Sequence, residues 1–464
     1  MTDYTNRTFD EIEVGTSETV TRTLVTPDVE ALSLASGDVE SFHTRGADRA
    51  QGKGPSTQGS AAAAILAGML NRRLPGPGGA ITASQLTYGG AIHVGDTLTA
   101  TVTARAKHAE GHRIDFDCRC TNQHGTVLAA GVMTISAPTR RVVYSNLATP
   151  QIVLRHNDGF VPLFAACAQM PAVACAVVHP CDRDSLQGAV DAAAHDLIVP
   201  FLVGPEAKIR AVAQAEGIDI SPFRIVPVEH SHAAAAKAVE MARSGKVHAL
   251  MKGSLHTDEL MEEVVPSATG LRTARRISHV FVMDVPTYPR LLFVTDCAIN
   301  INPDLETKAD ICRNAIDLAH ILGIPTPRVA ILSAVELVNS KLQGTLDAAA
   351  LCKMADRGQI TGGLLDGPFA FDNAISVEAA QTKGIVSEVA GKADILLAPD
   401  LEAGNILAKQ QQYLAGADSA GIVLGTRVPI VLTSRADSVR ARLASAAVLK
   451  LVAHERRSRL AVKP

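Results

Sequence analysis

The spacing of hydrophobic and polar positions changes near residue 140, and that change divides the chain in two. Before it, residues 17–25 (SETVTRTLV), 97–106, 113–121 and 127–135 alternate as half-buried strands do. Turn residues at Gly95-Asp96, Glu110-Gly111 and Gln123-His124-Gly125 separate them. Thr26 and Pro27 offer an N-cap and a first-turn proline for a short helix ending near Ala35. A second helix, from about residue 57 to 74, is rich in small residues: Gly59, Ser60, then Ala61 to Ala64. Such a stretch can lie close against a curved sheet, and LPGPG ends it. One long helix beside consecutive antiparallel strands is an α+β layout.

After residue 160 short apolar runs alternate with amphipathic helical ones. The runs 172–178, 199–204, 223–228 and 247–252 come first. Those at 280–285, 291–296, 329–333, 363–367, 393–398, 422–424 and 430–433 follow, with helices over 305–323, 345–357, 402–415 and 438–455. This grammar predicts a doubly wound parallel sheet. About 300 residues exceed a comfortable single sheet, so two α/β lobes with a cleft between them are expected. The predicted division is 1–140, a linker at 141–160, and 161–464; within the last, lobe 1 takes about 161–275 plus 425–464 and lobe 2 about 276–424.

Composition narrows the classes. A hydrophobic share of 47% against 20% charged supports full cores rather than disorder. A formal charge of −3 and an absence of Trp give neither a basic field nor a stacking platform for nucleic acid. Eight cysteines are scattered without a CxxC pair, the pattern of free thiols in a reducing compartment. The start MTDYTNRTFDEIEVG has no apolar signal segment, and apolar runs stop short of the ~20 residues that span a bilayer. A cytoplasmic protein with no membrane and no nucleic-acid partner is expected. HxxxH at His108 and His112, and HxH at His230 and His232, lack a third converging ligand and read as surface histidines, so no metal site is expected.

Two regions carry candidate chemistry. In SGDVESFH, Asp38 and His43 stand five apart on a turn, where a carboxylate and an imidazole can converge on one water molecule. In the later part, G-x-G-x-x-G after a strand and G-x-x-x-x-G-K-[ST] are both missing, which disfavours dinucleotide and nucleoside triphosphate. Polar clusters sit instead at strand ends, where open α/β sheets bind ligands. These are KGSLHT (Lys252 to Thr257), DCAIN (Asp296 to Asn300), DGP (Asp366 to Pro368) and TSRADS (Thr433 to Ser438). The last leads straight into a helix, whose free N–H groups beside a guanidinium form a ready phosphate site.

The first 140 residues resemble the MaoC-like, hot-dog-fold (R)-specific enoyl-CoA hydratases through SGDVESFH, QGSAAAAILAGMLNRRLPGPG and IHVGDTLTATVTA. That resemblance implies a hot-dog domain with Asp38 and His43 as catalytic pair and Gly59 at the substrate. The family's Asn-Pro is Glu40-Ser41 here, its His-Gly is Gln58-Gly59, and a small hydroxyl residue of its helix falls at Ala64. A non-catalytic acyl-CoA-binding or oligomerisation module is therefore the alternative.

Residues 150–464 resemble the phosphate acetyl/butyryltransferases through ALMKGSLHTDEL, GLRTARRISHVFVMD, LLFVTDCAININPDLETKADICRNAI, LLDGPFAFDNAIS, ADILLAPDLEAGNILAK and GTRVPIVLTSRADS. The LLDGPFAFDNAIS string sits nearer the butyryl branch. The resemblance implies a two-lobed, three-layer sandwich like that of isocitrate and isopropylmalate dehydrogenases. It implies attack of inorganic phosphate on an acyl-CoA thioester, acetyl or short-chain such as butyryl, with coenzyme A and phosphate as substrates and no tightly bound cofactor. Ser434 and Arg435 take the family's catalytic pair. Asp437 is the nearest carboxylate for the coenzyme A thiol and Asp366 the next, because Ala441 stands at the family's usual offset. Lys252, Ser254, His256, Thr257, Asp296, Asn300, Asp366, Gly367 and Asn405 fall in its substrate-binding strings, with Arg272 or Arg276 as its second arginine. A bifunctional acyl-CoA enzyme, assembled as a dimer or higher homo-oligomer, is the leading expectation. A regulatory effector-binding domain is the alternative for the second part.

Overall fold

The computed structural model describes residues 2–37, 56–57, 60–147, 159–432 and 437–462. Asp38, His43, Gly59, Ser434 and Arg435 lie outside them. Close backbone packing separates two compact units, Met1–Arg155 and His156–Pro464.

The first unit contains β1 (Thr2–Thr5), β2 (Ser17–Thr23), α1 (Thr26–Ser36), β3 (Ser56–Thr57) and α2 (Ser60–Arg72). β4 (Ala80–Tyr88), β5 (Ile92–His93), β6 (Thr97–His108), β7 (Arg113–Thr121), β8 (Val127–Ser136) and β9 (Val143–Leu147) follow. Five of these strands form an antiparallel sheet in the order β2-β6-β7-β8-β4, and α2 packs across it. The alternation read from the sequence is physical. Leu98, Ala100, Val102 and Ala104 of β6, with Ile114 and Phe116 of β7, point inward to Leu66 and Leu70 of α2. The outward residues of β2 and β6 instead form a ladder of hydroxyl pairs, such as Thr19–Thr101 at 3.0 Å and Thr23–Thr97 at 2.8 Å. Such cross-strand pairs fix register on a solvated face. At α1 the expected cap moves by one residue: Val25 is the N-cap, and the Asp28 carboxylate accepts its N–H at 3.2 Å.

The second unit begins with α3 (Val161–Ala168), β10 (Val173–Val178), α4 (Arg183–Ala194), β11 (Ile198–Gly204), α5 (Glu206–Glu216) and β12 (Arg224–Pro227). It continues through α6 (Ser231–Arg243), β13 (Ala249–Lys252), α7 (Thr257–Val264), β14 (Ser278–Asp284), β15 (Leu292–Thr295), α8 (Leu305–Ile321) and β16 (Arg328–Leu332). Then come α9 (Gln343–Asp356), β17 (Leu364–Phe369), α10 (Phe371–Ile375), α11 (Val377–Thr382) and β18 (Ile395–Leu397). α12 (Leu401–Tyr413), β19 (Asp418–Leu424), β20 (Ile430–Val431) and α13 (Val439–Val462) complete it.

All eleven strands pair into one sheet, in the order β12-β11-β10-β13-β20-β19-β14-β15-β18-β16-β17. The expectation of a wholly parallel sheet is corrected here. β14 runs antiparallel to both β15 and β19, and β19 runs antiparallel to β20. For β14 with β15 and for β19 with β20 the reason is connection length: residues 285–291 and 425–429 are too few for a crossover helix, so each of these pairs must fold back on itself. Two parallel blocks thus flank an antiparallel centre. Side-chain caps start several helices where the sequence changes grammar; Asp182, Asp304 and Asp400 each accept a backbone N–H at 2.8 Å. α13 buries Ala444, Ala447, Val448, Leu451 and Val452. Its Lys450 is buried too, donating to the Asp196 carbonyl at 2.8 Å. No helix among the described residues is long and apolar enough to cross a membrane.

Candidate functional site

Three loops that follow strands each contribute a side chain to one hydrophobic cluster. β13 ends at Lys252, whose ammonium donates to the carbonyl of Leu255 at 3.0 Å and so folds the following loop around itself. The loop is stapled to the end of β10: Gly253 N donates to Val178 O at 2.9 Å and Ser254 N to His179 O at 2.8 Å. The His179 ring donates to the Ser254 carbonyl at 2.8 Å. Glycine is required at 253, because a Cβ there would lie 2.5 Å from the Val178 carbonyl. His256 is the N-cap of α7, its N–H taken by Glu259 at 3.3 Å, and Thr257 is the first helical residue.

β20 lies parallel to β13, with Leu250 opposite Ile430 and Met251 opposite Val431. That register brings Lys252 level with Leu432, the last described residue before Ser434 and Arg435. Beyond them α13 starts with Ser438 as cap, its hydroxyl accepting from Ala441 N at 3.1 Å. The Asp437 carbonyl accepts from Arg442 Nη1 at 2.9 Å.

The third strand end is the loop after β15. Asp296 is buried, and its carboxylate collects five donors. Oδ1 accepts from the backbone N–H of His279 (3.2 Å), Ala298 (2.9 Å) and Ile299 (3.1 Å). Oδ2 accepts from Asn300 N (3.1 Å) and Asn300 Nδ2 (2.5 Å). Burial pushes the carboxyl above its ordinary range, while the donors favour the charged form. Asn300 Nδ2 also reaches the Ile277 carbonyl at 2.8 Å, and Asn405 of α12 donates to the Cys297 carbonyl at 3.1 Å. Gly404 lets that helix close in, since a Cβ there would stand 2.1 Å from the Asp296 carbonyl.

Leu255, Ile299 and Leu432, one from each loop, pack into a single hydrophobic cluster with Leu250, Val428 and Ile430. The loop bearing Lys252, Ser254, His256 and Thr257 is therefore set beside the segment leading to Ser434, whereas β15, followed by the loop bearing Asp296 and Asn300, lies three strand positions from β20 and runs opposite to it. Asp296, Asn300 and Asn405 hold the loop's backbone in place through these bonds.

Other expected residues stand apart. Asp366 and Gly367 lie on the edge strand β17, six strand positions from β20, or about 29 Å along the sheet at ~4.8 Å per strand. The Asp366 carboxylate accepts its neighbour's N–H, from Gly367, at 2.8 Å. Arg272 pairs through its backbone with Thr426, and its exposed side chain borders a shallow cavity of about 520 Å³ that Asp258 and Glu262 make acidic. Arg276 is exposed beside the Asp310 carboxylate, which accepts its N–H at 2.9 Å.

Sequence reasoning missed His279. It is fully buried against Phe281, with ring centroids 4.5 Å apart, and burial, then the Lys409 ammonium, push its imidazole down to about 3. No local motif marks it; only the pairing of β14 with β19 and the Asp296 loop places it there. Among the described residues neither histidine pair belongs to a group of three or more His, Cys, Asp or Glu side chains that could hold a metal ion. His108 pairs with Asp115 at 2.9 Å, and His230 caps α6.

The fold of the second unit is that of the phosphotransacylases. It matches a branched-chain phosphotransacylase from Enterococcus faecalis V583 with a TM-score of 0.54 and 28% identity, over 61% of this chain and 99% of that one. A phosphotransacetylase from Streptococcus pyogenes matches with a TM-score of 0.55 and 22% identity, over 64% and 99%. The model for phosphate acetyl/butaryl transferase matches residues 229–449. A phosphate acetyltransferase of Rhizobium meliloti is 65% identical over 294 residues, which are 63% of this chain and 93% of that protein. A phosphate butyryltransferase of Clostridium acetobutylicum is 44% identical over 61% of this chain and 94% of its own length. The chain belongs to the phosphate acetyl/butyryltransferase family. For the first unit, an R-hydratase from Pseudomonas aeruginosa matches only at a TM-score of 0.31, too slight to assign it.

Proposed function

We propose that the second unit transfers an acyl group between coenzyme A and inorganic phosphate, with Ser434 and Arg435 at the reacting centre. The observation that carries this is the parallel pairing of β13 with β20, which sets the 253–257 loop beside the approach to Ser434. The names of the relatives, acetyl- and butyryltransferases, agree with it.

In the forward direction a phosphate oxygen attacks the thioester carbonyl carbon. The carbonyl oxygen gains charge, the C–S bond breaks, and the departing sulfur takes up a proton. Arg435 would hold the phosphate and offset its charge, and Ser434 would donate to the carbonyl oxygen or the leaving sulfur. Ser254, Thr257 and the free N–H groups at the start of α13 would complete the phosphate side. In the reverse direction a carboxylate must remove the thiol proton. Asp437, adjoining Arg435 in the chain by one residue, suits that role better than Asp366 on the far edge strand. Acetyl- and butyryl-CoA should both release free thiol when phosphate is added, and neither should without it. Absence of phosphate-dependent release from folded protein would refute the transferase reading.

For the first unit the proposal is a hot-dog domain acting on acyl-CoA, with Asp38 and His43 as its hydrating pair. An antiparallel sheet wrapped on the small-residue helix α2 supports the fold. Hydration of crotonyl-CoA should be measurable and should fall at least 100-fold in His43→Ala, the scale of one general acid–base group. If wild-type protein shows no hydration, the unit is the non-catalytic module instead, a reading that Ala64 and Glu40-Ser41 favour.

A further inference from the structure

His179 follows β10 directly, and its backbone holds a conformation that a side chain rarely adopts. Its φ is +54°, in the left-handed region. The two other non-glycine residues with positive φ among those described, His112 and Asp196, lie in turns between elements. His179 stands instead at the carboxyl end of an interior strand, one residue past Val178, which pairs with Lys252 of β13. β13 pairs in turn with β20, so three adjacent parallel strands end here, where open α/β sheets bind ligands.

Four hydrogen bonds over-determine the residue. Its N–H donates to the Val203 carbonyl at 2.7 Å, and its carbonyl accepts from Cys181 N and from Ser254 N, each at 2.8 Å. Its ring Nδ1 donates to the Ser254 carbonyl at 2.8 Å. Val203 belongs to β11 on one side and Ser254 to the loop after β13 on the other, so relaxing the backbone means releasing a neighbour. Strained backbone persists where its surroundings fix it in this way, and such places cluster at ligand clamps and active sites. Two of the four bonds fall on one partner: His179 takes both the N–H and the carbonyl of Ser254. The approach is this close because residue 253 is glycine; a Cβ there would lie 2.8 Å from the His179 carbonyl oxygen. The Ser254 hydroxyl, by contrast, has no hydrogen-bond partner among the described residues.

We propose that His179 is a positioning residue of the acyl-transfer site: by clamping the backbone of Ser254 it sets that residue's hydroxyl to hold inorganic phosphate. The role rests on the transferase reading given above. His179 acts through Ser254, not on the reacting atoms.

Two full-length variants separate the ring from the backbone. His179→Gly accepts the left-handed φ but has no ring, whereas His179→Asn tolerates that φ and places an amide N–H₂ where Nδ1 stood. With phosphate and butyryl-CoA varied in turn, His179→Gly raises KM for phosphate at least ten-fold, about the scale of one hydrogen bond to a charged group, and leaves KM for butyryl-CoA within two-fold. His179→Asn stays within three-fold of wild type for both. Added to Ser254→Ala, His179→Gly raises KM for phosphate less than two-fold further, because the clamp then has no hydroxyl to place. Melting transitions well above the assay temperature establish that each variant is folded. A smaller rise in His179→Gly, an equal rise in both KM values, no recovery in His179→Asn, or additive losses in the double variant would overturn the proposal. Wild type without phosphate-dependent release would remove the transferase reading instead, and calorimetric titration with inorganic phosphate then decides on the clamp alone. Affinity falls at least ten-fold in His179→Gly and recovers in His179→Asn; wild type that binds no phosphate, or variants that bind it alike, would overturn the clamp as well.

Discussion

Replacing Arg435 by alanine lowers kcat/KM for phosphate-dependent release of coenzyme A by roughly 10²–10³-fold, the scale of one electrostatic group aimed at developing charge. The attacking phosphate is anionic, and the thioester oxygen becomes so in the transition state. A neutral side chain at this place leaves both charges to be stabilised by N–H dipoles and by a lysine, Lys252, whose ammonium already donates to the Leu255 carbonyl. The loss should fall on KM for phosphate as well as on kcat, because in the proposed role the same group also holds the ground-state anion. Arg435→Lys should recover part of it: the charge returns, but the bidentate fork does not. Steady-state rates with phosphate varied at saturating acyl-CoA separate the two contributions. An alanine variant within three-fold of wild type would place the phosphate elsewhere.

The second large effect is on the scaffold. Asp296→Ala leaves five hydrogen-bond donors around an emptied buried site, the four backbone N–H groups from His279 to Asn300 and the Asn300 amide. Each unsatisfied buried donor costs about 1–3 kcal/mol, so even with partial relaxation the loss is at least about 3 kcal/mol. Differential scanning calorimetry should show the second unit's transition fall by roughly 6–12 °C. Asp296→Asn keeps the size but turns an N–H₂ toward donors, and it should rescue less than half of the loss. Activity should fall with stability in both, since the 297–300 loop shares its apolar footing with the approach to Ser434. A variant that loses activity with an unchanged transition would instead make Asp296 a substrate ligand.

Much of the architecture was legible because period and capping are local. The run 113–121 alternates, and β7 spans Arg113–Thr121; the helix expected over 305–323 is α8, Leu305–Ile321, begun by the Asp304 cap. Strand direction was less legible. A fully buried strand such as β14 reads the same whether its neighbour is parallel or antiparallel, and only the short 285–291 connection distinguishes the cases. Clusters at strand ends were visible as polar strings, yet their grouping was not. Asp366 looks equivalent to Asp296 in sequence, but strand order carries it to the sheet edge while β15 stays inside. His279 was invisible for the opposite reason: beyond Phe281 on its own strand, its neighbours Gly421 and Asp296 come from two other stretches of chain.

The central claim is that phosphate accepts the acyl group. Phosphorus NMR of a reaction with butyryl-CoA and inorganic phosphate, with free thiol titrated in parallel, tests it most directly. Acyl phosphate should appear mole for mole with coenzyme A, and the signal should revert when coenzyme A is added in excess. Release of thiol without any acyl phosphate would make the chain a thioester hydrolase and contradict the account.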